Sequence, residues 1–415
     1  PARVEDFERL LVDSQGPANL PCRGILHLWG LDEAPSLEAA QELGCRSVLN
    51  LAQALGKSRL EVSPRLWIAT RGTQRTGHET QPPSLTHAAL WGLGRTLAVE
   101  HPELSVALLD LDERAHASED SLLIEEFLLD PDGEQVAFRN GRRYVSRLAR
   151  CAVPNTQPSA TRLREDVSYL LTGGLGAIGL HVARWMVERG ARHLVMMGRT
   201  EAGSAAQEAL QSLREAGARI RLEQGDVSQP GDVARVLASL AQSGPPLRGV
   251  MHLAGVVEDS MLQQQDWPRF KRVLAPKLQG SWNLHHQTKE MDLDFFVLFS
   301  SSSALLGAAG QGNYAAANAF LDSLAHHRRA LGLKAVSINW GPWSGGGMAA
   351  SFAGSEQRRW VDWIEPAQGL ELLGWALDAA QAQVAVLPVD WAKYFQRFGD
   401  TGATKFLSRL LEETR

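Results

Sequence analysis

An apolar stretch, Val167 to Leu171, runs straight into Thr172-Gly173-Gly174-Leu175-Gly176-Ala177-Ile178-Gly179, and a helical pattern follows from His181 to Glu188. Gly174, Gly176 and Gly179 spell G-x-G-x-x-G between a strand and a helix. In that context the first glycine permits a tight turn and the second lets the backbone approach a pyrophosphate. The third lets helix and strand pack closely. The helix start adds free N–H donors and a partial positive charge. Thr172, Gly173, Gly174, Leu175, Gly176, Ile178 and Gly179 thus form a candidate dinucleotide cradle. The competing reading is a glycine-rich turn that only packs.

The 415 residues are 44% hydrophobic and 21% charged, a globular balance with length enough for two cores. The net charge of −5 argues against nucleic acid or an anionic membrane as the main partner. No apolar run approaches the ~18 residues that a membrane span needs. Cys22, Cys45 and Cys151 are scattered, odd in number and without metal spacing, so no metal site is expected and a reducing, cytoplasmic setting fits. The first residues carry neither an initiator Met nor a signal peptide and read as a piece of a longer polypeptide.

An internal repeat divides the chain. Arg23-Gly-Ile-Leu-His-Leu-Trp-Gly30 matches Arg248-Gly-Val-Met-His-Leu-Ala-Gly255, and the strand pattern Leu66–Thr70 matches Phe295–Phe299. The helical pattern His87–Ala98 matches Tyr314–Ala325, and each is followed by a strand, Ser105–Leu111 or Ala335–Trp340. Two halves with one order of elements predict duplicated α/β units. The first half has no glycine loop and carries His87 where the second has Tyr314, so it reads as a decayed, structural copy with no strand–helix unit before Arg23. Asn140-Gly141 between alternating residues predicts a hairpin at its end, and a polar linker, Val153–Ala160, follows.

The fold class is therefore α/β, with two Rossmann-like doubly wound units: a truncated structural subdomain over 1–155 and a catalytic, NADPH-binding subdomain over 156–415. Strands are predicted at 167–171, 193–197, 219–223, 249–253, 295–299 and 335–340. Such sheets bind ligands at the carboxyl ends of their strands. The glycine loop, Arg199, Asp226 with Val227, Ala254 with Gly255, and the serines 300–303 all fall there. An arginine in place of an acidic residue after the second strand accommodates a ribose 2′-phosphate, which points to NADPH; the plain alternative is a surface arginine. Asp226 accepts from an adenine amino group or serves as a turn or cap aspartate.

Ser301, Tyr314 and Asn318 lie close together in sequence, with Lys277 upstream, and Asn318 sits one helical turn after Tyr314. Reduction of a carbonyl needs a proton donor at the oxygen, a second donor to orient it, and a cation that makes the phenol a better acid. Of four tyrosines, only Tyr314 heads such a cluster; a lone tyrosine at a helix start would otherwise read as core packing.

These residues resemble a known family. Residues 161–345 are similar to the ketoreductase domain of modular type I polyketide synthases, a branch of the short-chain dehydrogenase/reductases. The matching segments are Thr172–Gly179, Val250–Gly255, Leu298–Ser301, Gly310–Asp322 and Asn339–Trp343. The first repeat resembles that family's structural subdomain. Ordinary short-chain dehydrogenases carry Tyr-x-x-x-Lys; here Asn318 takes the lysine's place and Lys277 comes from an earlier helix. The resemblance implies that Tyr314 donates the proton, Ser301 orients the carbonyl, Lys277 assists Tyr314 and Asn318 holds the relay geometry. It implies NADPH, and a β-ketoacyl chain tethered by phosphopantetheine to an acyl carrier protein beside other domains of one synthase.

The family's stereochemical markers are also legible. Val257-Glu258-Asp259 stands where one class has Leu-Asp-Asp, and position 306 is Leu where another class has Trp. Asp259 and Leu306 thus imply the B-type class and a D (3R) hydroxyl. Alanines at 309 and 315–317 imply reduction without epimerisation. Gly345–Met348 and the segment through Trp360 and Trp363, within 343–365, are expected to form a lid, with Trp343 and Met348 lining the substrate channel or simply packed. Three other readings stay open: a reductase of a fatty-acid-like or iterative synthase, a free short-chain dehydrogenase, and a catalytically silent NADPH-binding scaffold.

Overall fold

The strand periods close into two separate sheets in the computed structural model, which describes residues 3–14, 21–58, 60–79, 81–116, 119–129, 134–151, 161–346, 361–398 and 405–414. The linker Val153–Ala160 and residues 347–360 of the expected lid, Met348 and Trp360 among them, lie outside the described residues. The first unit runs α1 (Val4–Asp13), β1 (Gly24–His27), α2 (Leu37–Gln41), α3 (Ser47–Lys57), β2 (Arg65–Arg71) and α4 (Ala89–Glu100). It continues with β3 (Ala107–Leu111), α5 (Glu119–Leu129), β4 (Gln135–Arg139) and β5 (Arg142–Val145). Its sheet has the order β1-β2-β3-β4-β5, parallel except for the β4–β5 hairpin. Asn140 and Gly141 both take positive φ (52° and 73°), as a two-residue hairpin turn requires. Before Arg23, where the sequence shows no strand–helix unit, a lone helix α1 forms, its apolar residues Phe7 and Leu11 buried in the core that also holds α3.

The second unit begins with β6 (Ser168–Thr172), α6 (Ala177–Glu188), β7 (His193–Gly198), α7 (Ser204–Glu215), β8 (Arg219–Gln224), α8 (Pro230–Ser243), β9 (Leu247–His252) and α9 (Trp267–Thr288). It continues with β10 (Phe295–Ser301), α10 (Ser303–Leu306), α11 (Gly312–Ala330), β11 (Val336–Trp340), α12 (Pro366–Asp378), β12 (Gln383–Val386), α13 (Trp391–Phe398) and α14 (Ser408–Thr414). The sheet is parallel throughout, in the order β12-β11-β10-β9-β6-β7-β8. The chain order reverses between β6 and β9, so the carboxyl ends of those strands face the crevice where such sheets bind ligands.

The repeat now has a structural meaning. β1-β2-β3-β4 occupy the same sequence of places as β9-β10-β11-β12, so among the described residues the first unit copies one wing of the second and shows no counterpart of the β6-β7-β8 wing. At the carboxyl ends of the first sheet a closed polar network stands where the second sheet opens. Asp110 accepts from Thr70 Oγ1 (2.7 Å), Thr73 N (2.9 Å) and Gln74 N (3.0 Å), and pairs with the buried Arg139 guanidinium. His87, the counterpart of Tyr314, is tied to the Asp32 carbonyl (3.0 Å). Around Asp110 these polar groups satisfy one another, as buried groups must, whereas His87 Nδ1 is left without a partner.

The two units join through the paired repeat helices, α4 against α11. A Cβ built at Gly92 would stand 2.1 Å from the Ala315 carbonyl oxygen, next to Tyr314. No side chain fits there. Gly92→Val is expected to force the helices apart at a cost of about 1–3 kcal/mol. A lower melting temperature together with slower turnover would show it; an unchanged melting curve would mean that α4 and α11 are not the joint.

Candidate functional site

A cleft of about 1900 Å³ opens at the carboxyl ends of β6, β7, β9 and β10. Gly173, Leu175, Gly176, Ile178 and Gly179 line it, as do Arg199, Asp226 with Val227, and Ala254 with Gly255. Lys277, Ser301 and Tyr314 line it as well, and so do Asp259, Leu306 and Trp343. Thr172 does not. It is fully buried and bonds His252 Nδ1 (2.7 Å), clamping β6 to β9 behind the cleft. Gly174 is likewise turned inward, onto Leu171 and Met196. The left-handed turn is made one residue earlier than the motif assigns it, at Gly173 (φ 73°), whose missing side chain also clears Ala254.

Gly176 caps α6, and a side chain added at Gly176 would meet only the Gly173 carbonyl, at 3.4 Å. The first N–H groups of α6 therefore face open space at the positive end of a helix dipole, a ready anion site. Gly179 packs the helix onto the loop: a Cβ there would come within 2.7 Å of Gly174. Arg199 is exposed at the end of β7, and among the described residues its guanidinium makes no ion pair. Asp226 bonds Ser228 N (2.9 Å) and Ser228 Oγ (2.7 Å) through Oδ1, which is the turn role foreseen as its alternative.

The catalytic candidates converge from three elements. Lys277, on α9, is buried and donates to the Phe299 carbonyl at 2.8 Å, with Nζ 5.6 Å from the centre of the Tyr314 ring. Burial pulls its pKa down to about 7, against the opposing charge of Asp322. Burial lifts the Tyr314 phenol to about 12, while Asn318 and the Ser301 hydroxyl draw it the other way. Asn318 is buried, donates to the Tyr314 carbonyl (2.8 Å), and leaves Oδ1 as a buried acceptor with no protein partner. Ser301 Oγ accepts from Ser303 N (3.2 Å) at the end of β10. Asp259 Oδ2 accepts from Gln311 Nε2 (3.0 Å), and burial raises its pKa.

Several functional neighbours escape the sequence reading. Asp322 continues the Tyr314–Asn318 stripe by one more helical turn. It accepts from Ser337 (2.6 Å) and Asn339 (2.8 Å), and its burial raises its pKa to about 6. The i, i+4, i+8 spacing on α11 is the signal for it. Asn313 ties the Tyr314 amide (2.7 Å) to the Glu258 carbonyl (2.9 Å). The first unit is more than a bystander: Arg95, Val99 and Arg147 reach the cleft, as do Tyr394 and Phe406 from the C-terminal segment. Trp343 lies chiefly in the core, with its ring 5.0 Å from Trp340 and its six-membered ring filling the space a Cβ on Gly369 would need.

Comparison with known proteins adds the family. Residues 167–345 match the family described as KR domain, and residues 10–148 match the Rossmann fold domain of the polyketide synthase extender module SpnB. A solved structure of A-type ketoreductases from a modular polyketide synthase is 33% identical, with a TM-score of 0.89, over 100% of this chain and 88% of that one. This chain belongs to the ketoreductase domains of modular polyketide synthases. Polyketide synthase GfsA of Streptomyces halstedii is 39% identical over 88% of the chain. A phenolphthiocerol/phthiocerol polyketide synthase of Mycobacterium tuberculosis is 37% identical over 85% of it. The ketoreductase spans only 5% of the first and 19% of the second. Among the described residues no helix is long and apolar enough to cross a membrane.

The ketoreductase is an NADPH-dependent oxidoreductase that reduces a ketone. Its residues fit the cofactor. The open N–H groups of α6 suit a pyrophosphate and the unpaired Arg199 a 2′-phosphate. The spare donors of Lys277 and the orphaned Asn318 Oδ1 suit ribose hydroxyls or a bound water. Arg199→Glu is expected to weaken NADPH binding about tenfold or more and NADH far less, by loss of a charge-assisted contact; equal loss for both would remove the 2′-phosphate assignment. Lys277 carries its charge below pH about 7, whereas Tyr314 keeps its proton up to about 12. The reduction rate of the native enzyme should therefore fall as pH rises through about 7, and Lys277→Met should be slow and lack that limb.

Proposed function

We propose that this ketoreductase delivers a D (3R) hydroxyl, without epimerising the α-carbon, and that its substrate arrives on an acyl carrier protein of the same synthase. The observation that supports this reading most directly is the side of the cleft that bears Asp259. That carboxylate lies beside Tyr314, close enough to act on the phenol's charge, and is held by Gln311. Position 306, which also lines the cleft, is Leu; it packs with Leu305 against the C-terminal cluster of Trp391 and Phe406 and supplies no indole. Overall likeness does not separate the classes: structures described as A1-type and C2-type align with TM-scores of 0.89 and 0.85. The local residues carry the assignment.

The residue roles follow from chemistry. Bound NADPH would supply the hydride for the β-carbon. Tyr314 gives its proton to the carbonyl oxygen, and Ser301 donates a second hydrogen bond to that oxygen, so charge developing on it meets two preorganised donors. The Lys277 ammonium, within reach of the Tyr314 ring, favours the phenolate left behind and so offsets the rise that burial imposes. Asn318 holds the first turn of α11 through the Tyr314 carbonyl, which fixes the phenol's approach. In this reading residues 1–155 form the structural subdomain and 156–415 the catalytic one. The lid lies near 343–365, its feet tied by Ser344 N to Ile364 O (3.0 Å) and Ile364 N to Pro342 O (2.7 Å).

The test is NADPH oxidation with a short β-ketoacyl thioester and chiral analysis of the product. The native enzyme should give the D-hydroxy product. Tyr314→Phe should lose turnover by about a thousandfold or more while still binding NADPH, because the proton donor alone is gone. Asp259→Ala should erode the epimer ratio more than the rate. An L product from the native enzyme would overturn the stereochemical class. Cofactor binding without turnover, even on a carrier-bound substrate, would favour the silent scaffold.

A further inference from the structure

Both walls of the substrate side of the cleft are connecting loops. One, 257–262, carries Asp259; the other, 302–311, includes the single turn of α10 and leads from Ser301 through Leu306 toward Tyr314. The two touch through Ser260 N donating to the Gly310 carbonyl (2.8 Å) and Gln311 Nε2 donating to Asp259 (3.0 Å). Neither is held by the catalytic unit alone. Glu100, the last residue of α4 in the other unit, accepts the Leu262 amide at Oε2 (2.7 Å) and the Gly310 amide at Oε1 (2.8 Å). One carboxylate thus bonds both loops, one oxygen to each, at the point where they meet.

The rest of α4 reinforces the second loop. Arg95 donates to the Ala304 carbonyl (2.5 Å), and Thr96 Oγ1 accepts from the Ala308 amide (3.4 Å). Gly307, at φ 69°, lies so close to the Arg95 carbonyl that a Cβ would come within 2.5 Å of it. The first loop is held again by Gln53, whose Nε2 donates to the carbonyls of Leu262 (2.9 Å) and Gln265 (2.6 Å). Of these anchors, only Glu100 spans both loops.

We infer that Glu100 is a positioning residue for the reduction: from the unit that carries no catalytic group, it sets the spacing between the Asp259 loop and the Tyr314 loop, and through that spacing the face on which the ketone is reduced. This rests on the reading that the substrate lies between Asp259 and Tyr314. A backbone amide bonded to a carboxylate is held more tightly than one bonded to a neutral acceptor. Replacing one carboxylate oxygen by an amide group turns an acceptor toward one N–H into a second donor, and that loop loses its tie.

The experiment compares native enzyme with Glu100→Gln, measuring NADPH binding by fluorescence, kcat and KM with a β-ketoacyl thioester, and the ratio of hydroxyl epimers. Glu100→Gln should bind NADPH as the native enzyme does. Its kcat/KM should fall about tenfold and its minor epimer should rise about threefold or more, in keeping with the loss of one charge-assisted hydrogen bond. A purely structural role would lower the melting temperature but leave the epimer ratio of the folded enzyme unmoved. If Glu100→Gln does not fold, Glu100→Asp, which withdraws the carboxylate by one methylene, is measured in its place. Glu103→Gln, at an exposed neighbouring site, should match the native enzyme in all three. An unchanged epimer ratio in a folded Glu100 variant, or an equal change in Glu103→Gln, overturns the inference. An L product from the native enzyme would instead defeat the B-type reading, and Glu100 would still be judged by whether its variant moves the ratio.

Discussion

The contact on which the most depends is the bare backbone of Gly92 against the Ala315 carbonyl. α4 and α11 are the matching helices of the two repeats, and they meet where neither can carry a side chain larger than the space allows. Packed interiors do not tolerate adjustments of an ångström cheaply. The first turn of α11, and with it Tyr314, is therefore set by a helix from the other unit. Glu100, Arg95 and Thr96, farther along the same helix, extend that control to the loops before Tyr314.

The two copies differ in what the residues at their strand ends leave open. Each sheet ends in polar groups at the carboxyl edges of its strands. In the first, Asp110, Thr70, Thr73 and Arg139 satisfy one another, and no uncommitted group remains among them to meet a ligand. In the second, the corresponding edge keeps groups whose needs the protein does not meet: the open amides of α6, the spare donors of Lys277 and the orphaned Asn318 oxygen. Burial then tunes what is there. The same desolvation that pulls Lys277 down toward neutrality pushes Tyr314 up, and their closeness sets the two opposed shifts side by side in one cleft.

Much of this is legible in the sequence, and the reasons for success and failure are physical. Strand and helix periods are local, so the strands of the second unit fall close to their observed limits, and the Asn140-Gly141 hairpin forms as its turn chemistry demands. α1 escapes a reading of the sequence because a short amphipathic helix is defined only by the core it covers, here Phe7 and Leu11. β12 escapes for a similar reason: a four-residue edge strand has too short a pattern to stand out. Within the site, the motif's spacing puts Thr172 in the cradle, yet its bond to His252 turns it away, and the tight turn is made by Gly173 rather than Gly174.

By itself the sequence determined the order of elements, the duplicated plan, the glycine loop and which residues are candidates for the chemistry. These depend on short-range spacing and on chemistry that few residue types can perform. Only the tertiary structure decided which of these groups face the cleft and how burial divides the charges of Lys277, Tyr314 and Asp322. It alone disclosed that Glu100 ties Leu262 to Gly310, positions far apart in the chain. A hydrogen bond between distant residues leaves no periodic trace along a single chain, so it becomes visible only once packing has brought its partners together.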